Sequence, residues 1–146
     1  MIPMPEQNFE NHAQRVPGFL AVGLVLFLSF IGAGVNLYHA VGDHHRLYSA
    51  ALILVLTVCT FLVAFFCRTF ALKAQDRAIR AEENLRHYVL AGKLLDSRLK
   101  PLQIVALRFA SDGEFAGLAK QAADKGMAPV DIKKAVKNWR PDFYRA

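Results

Sequence analysis

Two long apolar runs dominate the first half of the chain, and only a short polar stretch separates them. No charged residue occurs from Phe19 to Leu37 or from Leu47 to Cys67. A helix needs about 20 mainly apolar residues to cross the hydrocarbon core of a bilayer, and both runs reach that length. The pattern therefore predicts a membrane helical hairpin with three parts: transmembrane helix 1 (16–41), an outer loop (42–46) and transmembrane helix 2 (47–68).

The second apolar run is followed by a proline-free stretch, 69–100, that is rich in helix-forming residues. Small and apolar residues recur in it at alternating spacings of four and three, as in a coiled coil. We call these positions the seam: Ala74, Ala78, Ala81, Leu85, Tyr88, Gly92, Leu95 and Leu99. The pattern predicts a cytoplasmic stalk helix that packs along the seam. Its partner is either the chain's own C-terminal helices, which we favour, or another protein.

The last part of the chain, 101–146, begins at a proline that ends or kinks the stalk, and it predicts a small helical module. Ser111 and Glu114 have the spacing of a capping box, and Gly126 is placed to end the helix that they begin. A further helix is expected to start at Pro129. Its apolar positions at helical spacing are Ile132, Ala135, Val136 and Trp139.

The polar segment 1–15 precedes the hairpin and contains two prolines. We expect this lead-in to be either a solvated tail or a cap that packs on the cytoplasmic module. Taken together, the segments predict an all-α fold. In it, a transmembrane helical hairpin continues into a cytoplasmic stalk helix and a small basic C-terminal helical module.

Positive charge is concentrated in the second half of the chain. Residues 67–146 hold 16 of the 18 Lys and Arg residues and 9 of the 12 Asp and Glu residues, which gives this half a net charge of +7. Short basic segments that flank transmembrane helices stay on the cytoplasmic side. We therefore expect both termini in the cytoplasm. A cleaved signal peptide is the competing interpretation of the first run, but that run is too long and follows Glu6 and Glu10.

The hairpin carries residue types that bind metals, but in an unfavourable arrangement. His39, Asp43, His44 and His45 are ordinary ligands, yet adjacent histidines in a short loop rarely converge on one centre. We expect a hydrated tip there. The chain contains no glycine-rich phosphate loop, nucleophile elbow or HExxH motif. The sequence therefore predicts a protein that is not an enzyme and has no cofactor and no metal site.

The two helices on either side of Gly126 resemble a helix-turn-helix motif. Lys133, Lys134 and Lys137 form a candidate basic patch that could contact phosphates. Against this, the second helix would open with the residues Ala-Pro-Val-Asp (128–131), which read bases poorly, and Asp131 repels a phosphate backbone. We expect an ordinary helical hairpin, and we keep membrane-tethered binding of DNA or another anionic ligand as an alternative.

Four segments resemble an uncharacterised family of small bacterial two-span membrane proteins, a domain of unknown function. They are EQNFENHAQRVP (6–17), QDRAIRAEE (75–83), ALRFASDGEF (106–115) and DIKKAVKNWRPDFYR (131–145). The resemblance covers nearly the whole chain. It implies a bacterial, α-helical, two-span membrane protein with no assigned active site; together with the basic cytoplasmic flank, this predicts the bacterial inner membrane as its location.

Three functions are consistent with these observations. The first is an accessory or scaffold subunit of a membrane complex, with a membrane protein or further copies of the chain as partner. The second is the tethered anion binder, and the third is a small transporter subunit. Candidate interaction residues for the first are Arg80, Arg86, Arg108, Trp139 and Arg145. The alternative for these residues is an internal role, with Trp139 in the core and the arginines paired to Glu82, Glu83, Asp112 and Asp142.

Small residues in the first apolar run form a candidate helix-packing site. Ser29 and Ala33 make a small-xxx-small pair, which permits the close approach of another helix. The other helix would be the second apolar run or a separate protein. Neither run carries a charged residue at its centre, which disfavours an independent channel or pump.

Overall fold

A computed structural model describes residues 6–13 and 16–143. The described residues form five α-helices: α1 Pro17–Ala40, α2 His44–Ala91, α3 Pro101–Leu107, α4 Asp112–Lys125 and α5 Pro129–Ala135. The chain divides into a hairpin unit, Arg15–Ala71, and a module unit made of Met1–Gln14 and Leu72–Ala146. The predicted all-α fold class is confirmed.

The hairpin unit consists of α1 and the first half of α2. Proline occupies the first turn of α1, where its missing N–H removes no helical hydrogen bond. Gly42 provides the turn with a φ of +99°, and the Asp43 carboxylate accepts the N–H of His45 at 3.0 Å, which caps the start of α2. Three alanines of this unit are almost completely buried: Ala33, Ala40 and Ala50.

Both helices of this unit are long and apolar enough to cross a membrane. The most apolar 18-residue stretches of α1 and α2 have mean hydropathies of 2.3 and 2.8. Only 6% of each stretch is buried, whereas a core helix of a globular protein is mostly buried. The apolar side chains of the hairpin therefore face outward.

The module unit has a core formed by α3, α4, α5 and the loop before α3. Leu107, Phe109, Phe115 and Ile132 are its largest fully buried side chains. The predicted start and end of α4 are confirmed, since Ser111 is its N-cap and Gly126 adopts the left-handed conformation at its C-terminus, with φ +59°. The predicted apolar face of α4 is buried as well, and it comprises Phe115, Leu118, Ala119 and Ala122.

The stalk helix is shorter than the sequence predicts, because α2 ends at Ala91 and not at residue 100. Gly92 has a φ of +69°, and its N–H donates to the carbonyl of Tyr88 at 2.8 Å, which closes the last turn. The Asn84 side chain then accepts the N–H of Leu95 at 3.3 Å. As a result, Leu95 and Leu99 leave the seam and are buried in the core of the module.

The last helix is also shorter than predicted, because α5 ends at Ala135 and does not include Trp139. Trp139 instead forms an antiparallel bridge with Ala110. The N–H of Arg140 donates to the carbonyl of Phe109 at 2.7 Å, and the N–H of Lys137 donates to the Glu114 carboxylate at 3.2 Å. The backbone groups after α5 therefore hydrogen-bond to Phe109 and Glu114 instead of continuing the helical hydrogen-bond pattern.

An exposed ion-pair cluster ties the loop before α3 to α4. Arg98 contacts Asp96 at 2.7 Å and Asp124 at 2.8 Å. Hydrogen bonds from the side chain and backbone of Arg98 lower the pKa of Asp96 from 3.8 to about 2. The ionised carboxylate therefore stabilises the folded loop fully above pH 3.8, and this contribution is lost as the pH falls towards 2.

We expect Asp96→Asn to weaken the dependence of the melting temperature on pH below pH 4. The neutral side chain has no proton to gain between pH 4 and pH 2, so the melting temperature of the variant falls less steeply there than that of the wild type. The measurement is the thermal unfolding of both proteins across this range. An equal fall in melting temperature for both proteins between pH 4 and pH 2 would show that Asp96 contributes nothing to the pH dependence of stability.

Candidate interaction site

A nearly buried arginine lies at the centre of the module's polar network. The Nη1 of Arg86 donates to Glu83 at 2.9 Å, its Nε donates to Asp112 at 2.7 Å, and its Nη2 donates to the carbonyl of Ala110 at 2.7 Å. The guanidinium also lies 4.3 Å from the centroid of the Phe115 ring. Arg86 therefore joins α2 to the start of α4 and to the core.

The carboxylate that Arg86 pairs with is itself withdrawn from solvent. Glu83 is 4% exposed, and its second charged neighbour is Arg140 at 3.5 Å. A buried carboxylate is costly unless it is paired and hydrogen-bonded. The pair with Arg86 supplies that compensation, so the two residues are structurally interdependent.

A second arginine connects the end of α3 to the C-terminal tail of the module. The Nε of Arg108 lies 2.8 Å from the Asp142 carboxylate, and its guanidinium lies over the Phe109 ring at 4.5 Å. The N–H of Asp142 donates to the side-chain oxygen of Gln7 at 2.8 Å. The polar lead-in is thus hydrogen-bonded to the tail.

The lead-in also makes aromatic contacts with the core. The His12 ring lies 5.6 Å from the ring of Phe109 and 5.8 Å from the ring of Trp139. Its Nδ1 is 2.6 Å from the carbonyl of Phe9, and its Nε2 is 3.0 Å from the Nζ of Lys133. The described part of the lead-in, residues 6–13, therefore packs on the module as a cap and is not a solvated tail.

Trp139 is the only tryptophan of the chain, so its emission reports on the docked lead-in. We expect His12→Ala to shift this emission to longer wavelength and to lower the stability of the module by about 1–2 kcal/mol, because the ring contacts and the hydrogen bonds to the lead-in are lost. Fluorescence spectra and urea titration of the full-length protein measure both effects. His44→Ala, in the exposed first turn of α2, is the control and leaves the spectrum unchanged. An unshifted His12→Ala spectrum would contradict the docking of the lead-in.

A cleft of about 610 Å³ lies between α2 and the C-terminal tail of the module. Its lining carries charges of both signs and several apolar groups: Gln75, Ala78, Ile79, Glu82, Glu83, Arg108, Arg140, Pro141, Asp142 and Phe143. The side-chain oxygen of Gln75 is buried and has no hydrogen-bond partner within the described chain. The cleft therefore offers charged groups of both signs beside an apolar floor.

The structure separates the predicted interaction residues into groups. Arg80 is exposed on α2, whereas Arg86 and Arg108 are internal and their side chains are 11% and 9% exposed. The ion pairs that were the internal alternative are present for both. Trp139 is partly buried against the core. Arg145 lies outside the described residues.

The candidate basic patch does not form one solvated face. Lys133 is partly buried and contacts His12, while Lys134 lies 5.7 Å from the Phe9 ring. Lys137 is exposed. Because the lead-in occupies the amine of Lys133, the geometry lends no support to phosphate binding at this patch.

The two residues of the candidate helix-packing site, Ser29 and Ala33, differ in burial. Ala33 is 5% exposed and belongs to the buried alanines of the hairpin, whereas Ser29 is exposed. Phe19, near the start of α1, packs its ring under the guanidinium of Arg68 at 5.6 Å. Of the two small residues, Ala33 alone is therefore buried within the hairpin unit.

Several structural roles were missed by sequence reasoning. Glu114 accepts the N–H of Asn138 at 3.0 Å in addition to capping α4, and the buried Gln103 donates to the carbonyl of Met127 at 2.7 Å. His87 lies 2.6 Å from the carbonyl of Lys93. The contacts of Glu114 and Gln103 join residues 24 positions apart, and no local spacing signals them. Within residues 6–13 and 16–143, no group of three or more His, Cys, Asp or Glu side chains is placed to hold a metal ion.

Comparison with known proteins places the chain in a family without assigning an activity. No curated protein and no solved structure matches it. A family model described as a family of unknown function, DUF6526, matches residues 4–146. The match includes the lead-in, both apolar helices and the module. The chain therefore belongs to this family of unknown function.

Proposed function

We propose that the chain is a non-enzymatic integral membrane protein of the bacterial inner membrane. In this proposal the hairpin unit is the anchor. The module unit lies in the cytoplasm as an accessory or scaffold subunit of a membrane complex. The observation that carries the proposal is the outward-facing apolar surface of a hairpin whose helices are 6% buried over their most apolar stretches.

The side chains on the hairpin surface support membrane insertion. Large apolar residues along both helices are around half exposed or more, including Leu24, Phe27, Leu56 and Phe65. A soluble monomer rarely exposes a contiguous apolar patch of more than a few hundred Å². Lipid tails would cover this surface, and the hydrogen bonds of each helix would satisfy its own backbone groups.

The distribution of basic residues supports the proposed orientation. Arg46 is the sole Lys or Arg of the loop between the two apolar runs, whereas Arg68, Lys73, Arg77 and Arg80 follow the second run. Translocated loops are poor in Lys and Arg. The loop would therefore face outward and the module inward.

The internal polar network of the module supports a role in presenting a surface. Arg86 and Arg108 are both engaged within the module, and their ion-pair partners Glu83 and Asp142 line the cleft. A cleft with charges of both signs and an apolar floor suits a partner segment that brings complementary charge and an apolar side chain. The partner proposed here is a membrane protein.

Native purification tests the scaffold role. Full-length protein with a C-terminal tag is isolated from gently solubilised native membranes, and co-purifying proteins are quantified by mass spectrometry. We expect a different membrane protein in stoichiometric amount. Arg140→Ala, on the cleft, reduces its recovery, whereas Lys120→Ala, on the exposed side of α4, does not. A wild-type chain that purifies without another protein would contradict the scaffold role.

A further inference from the structure

The seam of α2 is exposed within the module unit, contrary to the arrangement that its sequence favours. Ala74, Ala78, Ala81, Leu85 and Tyr88 are all exposed, and Leu85 and Tyr88 are 63% and 55% accessible. Val89 beside them is 74% accessible. Apolar side chains this accessible in one row of a helix outside the apolar runs indicate a surface that another helix covers.

The opposite face of α2 is the one that the module buries. Ile79, Glu83 and His87 are 7%, 4% and 6% exposed. At 100° per residue, Glu83 lies about 180° around the helix from the centre of the seam. The chain's own helices therefore occupy one side of α2, and the seam remains available on the other.

Charged residues on the two sides of the seam have opposite signs, and their spacing indicates which kind of helix can pair with it. With Ala78 and Leu85 at heptad position a, and Ala81 and Tyr88 at position d, Arg77 falls at g and Glu82 at e. In a parallel, in-register pair of helices, a g residue meets the e residue five positions later on the other helix. Arg77 of each copy would then meet Glu82 of the other, twice by symmetry.

Other arrangements of two copies lose this complementarity. In an antiparallel pair, g residues face g residues and e residues face e residues. Arg77 would then lie opposite Asn84, and Glu82 would lie opposite Gln75 or Val89. Both charges are exposed in the single chain, and they stand five residues apart, which is too far around one helix for a direct i,i+4 contact.

We propose that the seam binds a second copy of this chain, as a parallel, in-register helix pair that joins two module units. The alanines at three seam positions permit a close approach of the two helices, and Leu85 and Tyr88 supply the apolar contact. The inference deepens the proposed scaffold role by joining two modules along α2, where Ala78 and Glu82 also line the edge of the cleft. It requires neither membrane insertion nor a different partner protein.

Cross-linking in the full-length protein tests the contact. In a background of Cys59→Ala and Cys67→Ala, a short bismaleimide is applied to native membranes that contain Ala81→Cys or the control Arg80→Cys. Arg80 is exposed about 120° away from the seam. We expect about tenfold more dimer from Ala81→Cys, because d residues of paired helices face each other. Leu85→Cys, a second seam position, gives the same result.

Charge exchange identifies the second copy and its register. Arg77→Glu alone places two acidic residues together and lowers the cross-linking of Ala81→Cys about fivefold. Adding Glu82→Arg restores the opposite charges and the dimer yield. Equal yields at positions 80 and 81, a product with the mass of a different protein, or a double exchange that fails to restore the yield would each overturn the proposal. None of these outcomes depends on whether a membrane protein co-purifies, so the scaffold role is judged separately.

Discussion

Replacing Arg86 with methionine is expected to lower the free energy of unfolding of the module by about 3 kcal/mol. The change leaves the Glu83 carboxylate buried with only the more distant Arg140 nearby, and it leaves the carbonyl of Ala110 without its donor. Breaking a buried ion pair from one side costs this much because a charge remains in a poorly solvated site. Methionine keeps most of the apolar volume, so the loss reflects the polar contacts.

Urea titration of the full-length protein in detergent measures this loss. Trp139 lies in the module unit, and its emission therefore follows the unfolding of that unit. The matched control is Arg98→Met, which breaks two exposed ion pairs and leaves the urea midpoint close to that of the wild type. We expect Glu83→Leu to recover much of the loss when combined with Arg86→Met, since no unpaired charge then remains. A stability of Arg86→Met equal to that of the control would contradict the central place of Arg86.

Replacing Phe115 with alanine is expected to destabilise the module by about 3–5 kcal/mol. Phe115 is fully buried, and its ring contacts both the Arg86 guanidinium and the His87 ring. Truncation would create a cavity in the core and would remove the ring on which the guanidinium rests. Leu102→Ala is the control, because Leu102 is 58% exposed at the start of α3.

The same titration distinguishes a core position from a peripheral one. Leu102→Ala should change the urea midpoint little, whereas Phe115→Ala should shift it strongly or abolish the transition. Retention of a wild-type midpoint in Phe115→Ala would show that the core is not organised around this ring. A change in the slope of the transition would instead indicate an altered unfolded or native ensemble.

Local signals allowed the helices of the fold to be predicted. The hairpin follows from two uninterrupted apolar runs, and the start of α4 follows from Ser111 and Glu114 at capping-box spacing. The left-handed glycine at residue 126 ends that helix as predicted. In each case a few neighbouring residues determine the conformation, so the information is contained in one stretch of sequence.

Two helices are shorter than their apolar spacing predicts. The seam spacing continues through Gly92, but this glycine adopts the left-handed conformation and ends α2. Trp139 was assigned to a helix, but its segment pairs with Phe109 and Ala110. Spacing within a segment cannot report a partner 29 residues away.

In the candidate site, too, some residues were predictable from the sequence, whereas their contacts with distant residues were not. Arg86 and Arg108 were singled out by residue type, and their internal partners Glu83, Asp112 and Asp142 were among those expected. The docking of His12 onto Lys133 joins residues 121 positions apart and was not predictable from local pattern. The seam is recognisable from its spacing, but only the structure shows that Leu95 and Leu99 are buried and that the other six seam positions are exposed.

The most direct test of the central claim is labelling with a membrane-impermeant maleimide in intact bacterial cells. His44→Cys in the loop region and Lys125→Cys in the module are compared, each in the background of Cys59→Ala and Cys67→Ala. Both positions are exposed in the structure. We expect position 44 to be labelled in intact cells and position 125 to be labelled only after lysis. Labelling of position 125 in intact cells, or protection of position 44 until lysis, would contradict a hairpin anchor with a cytoplasmic module.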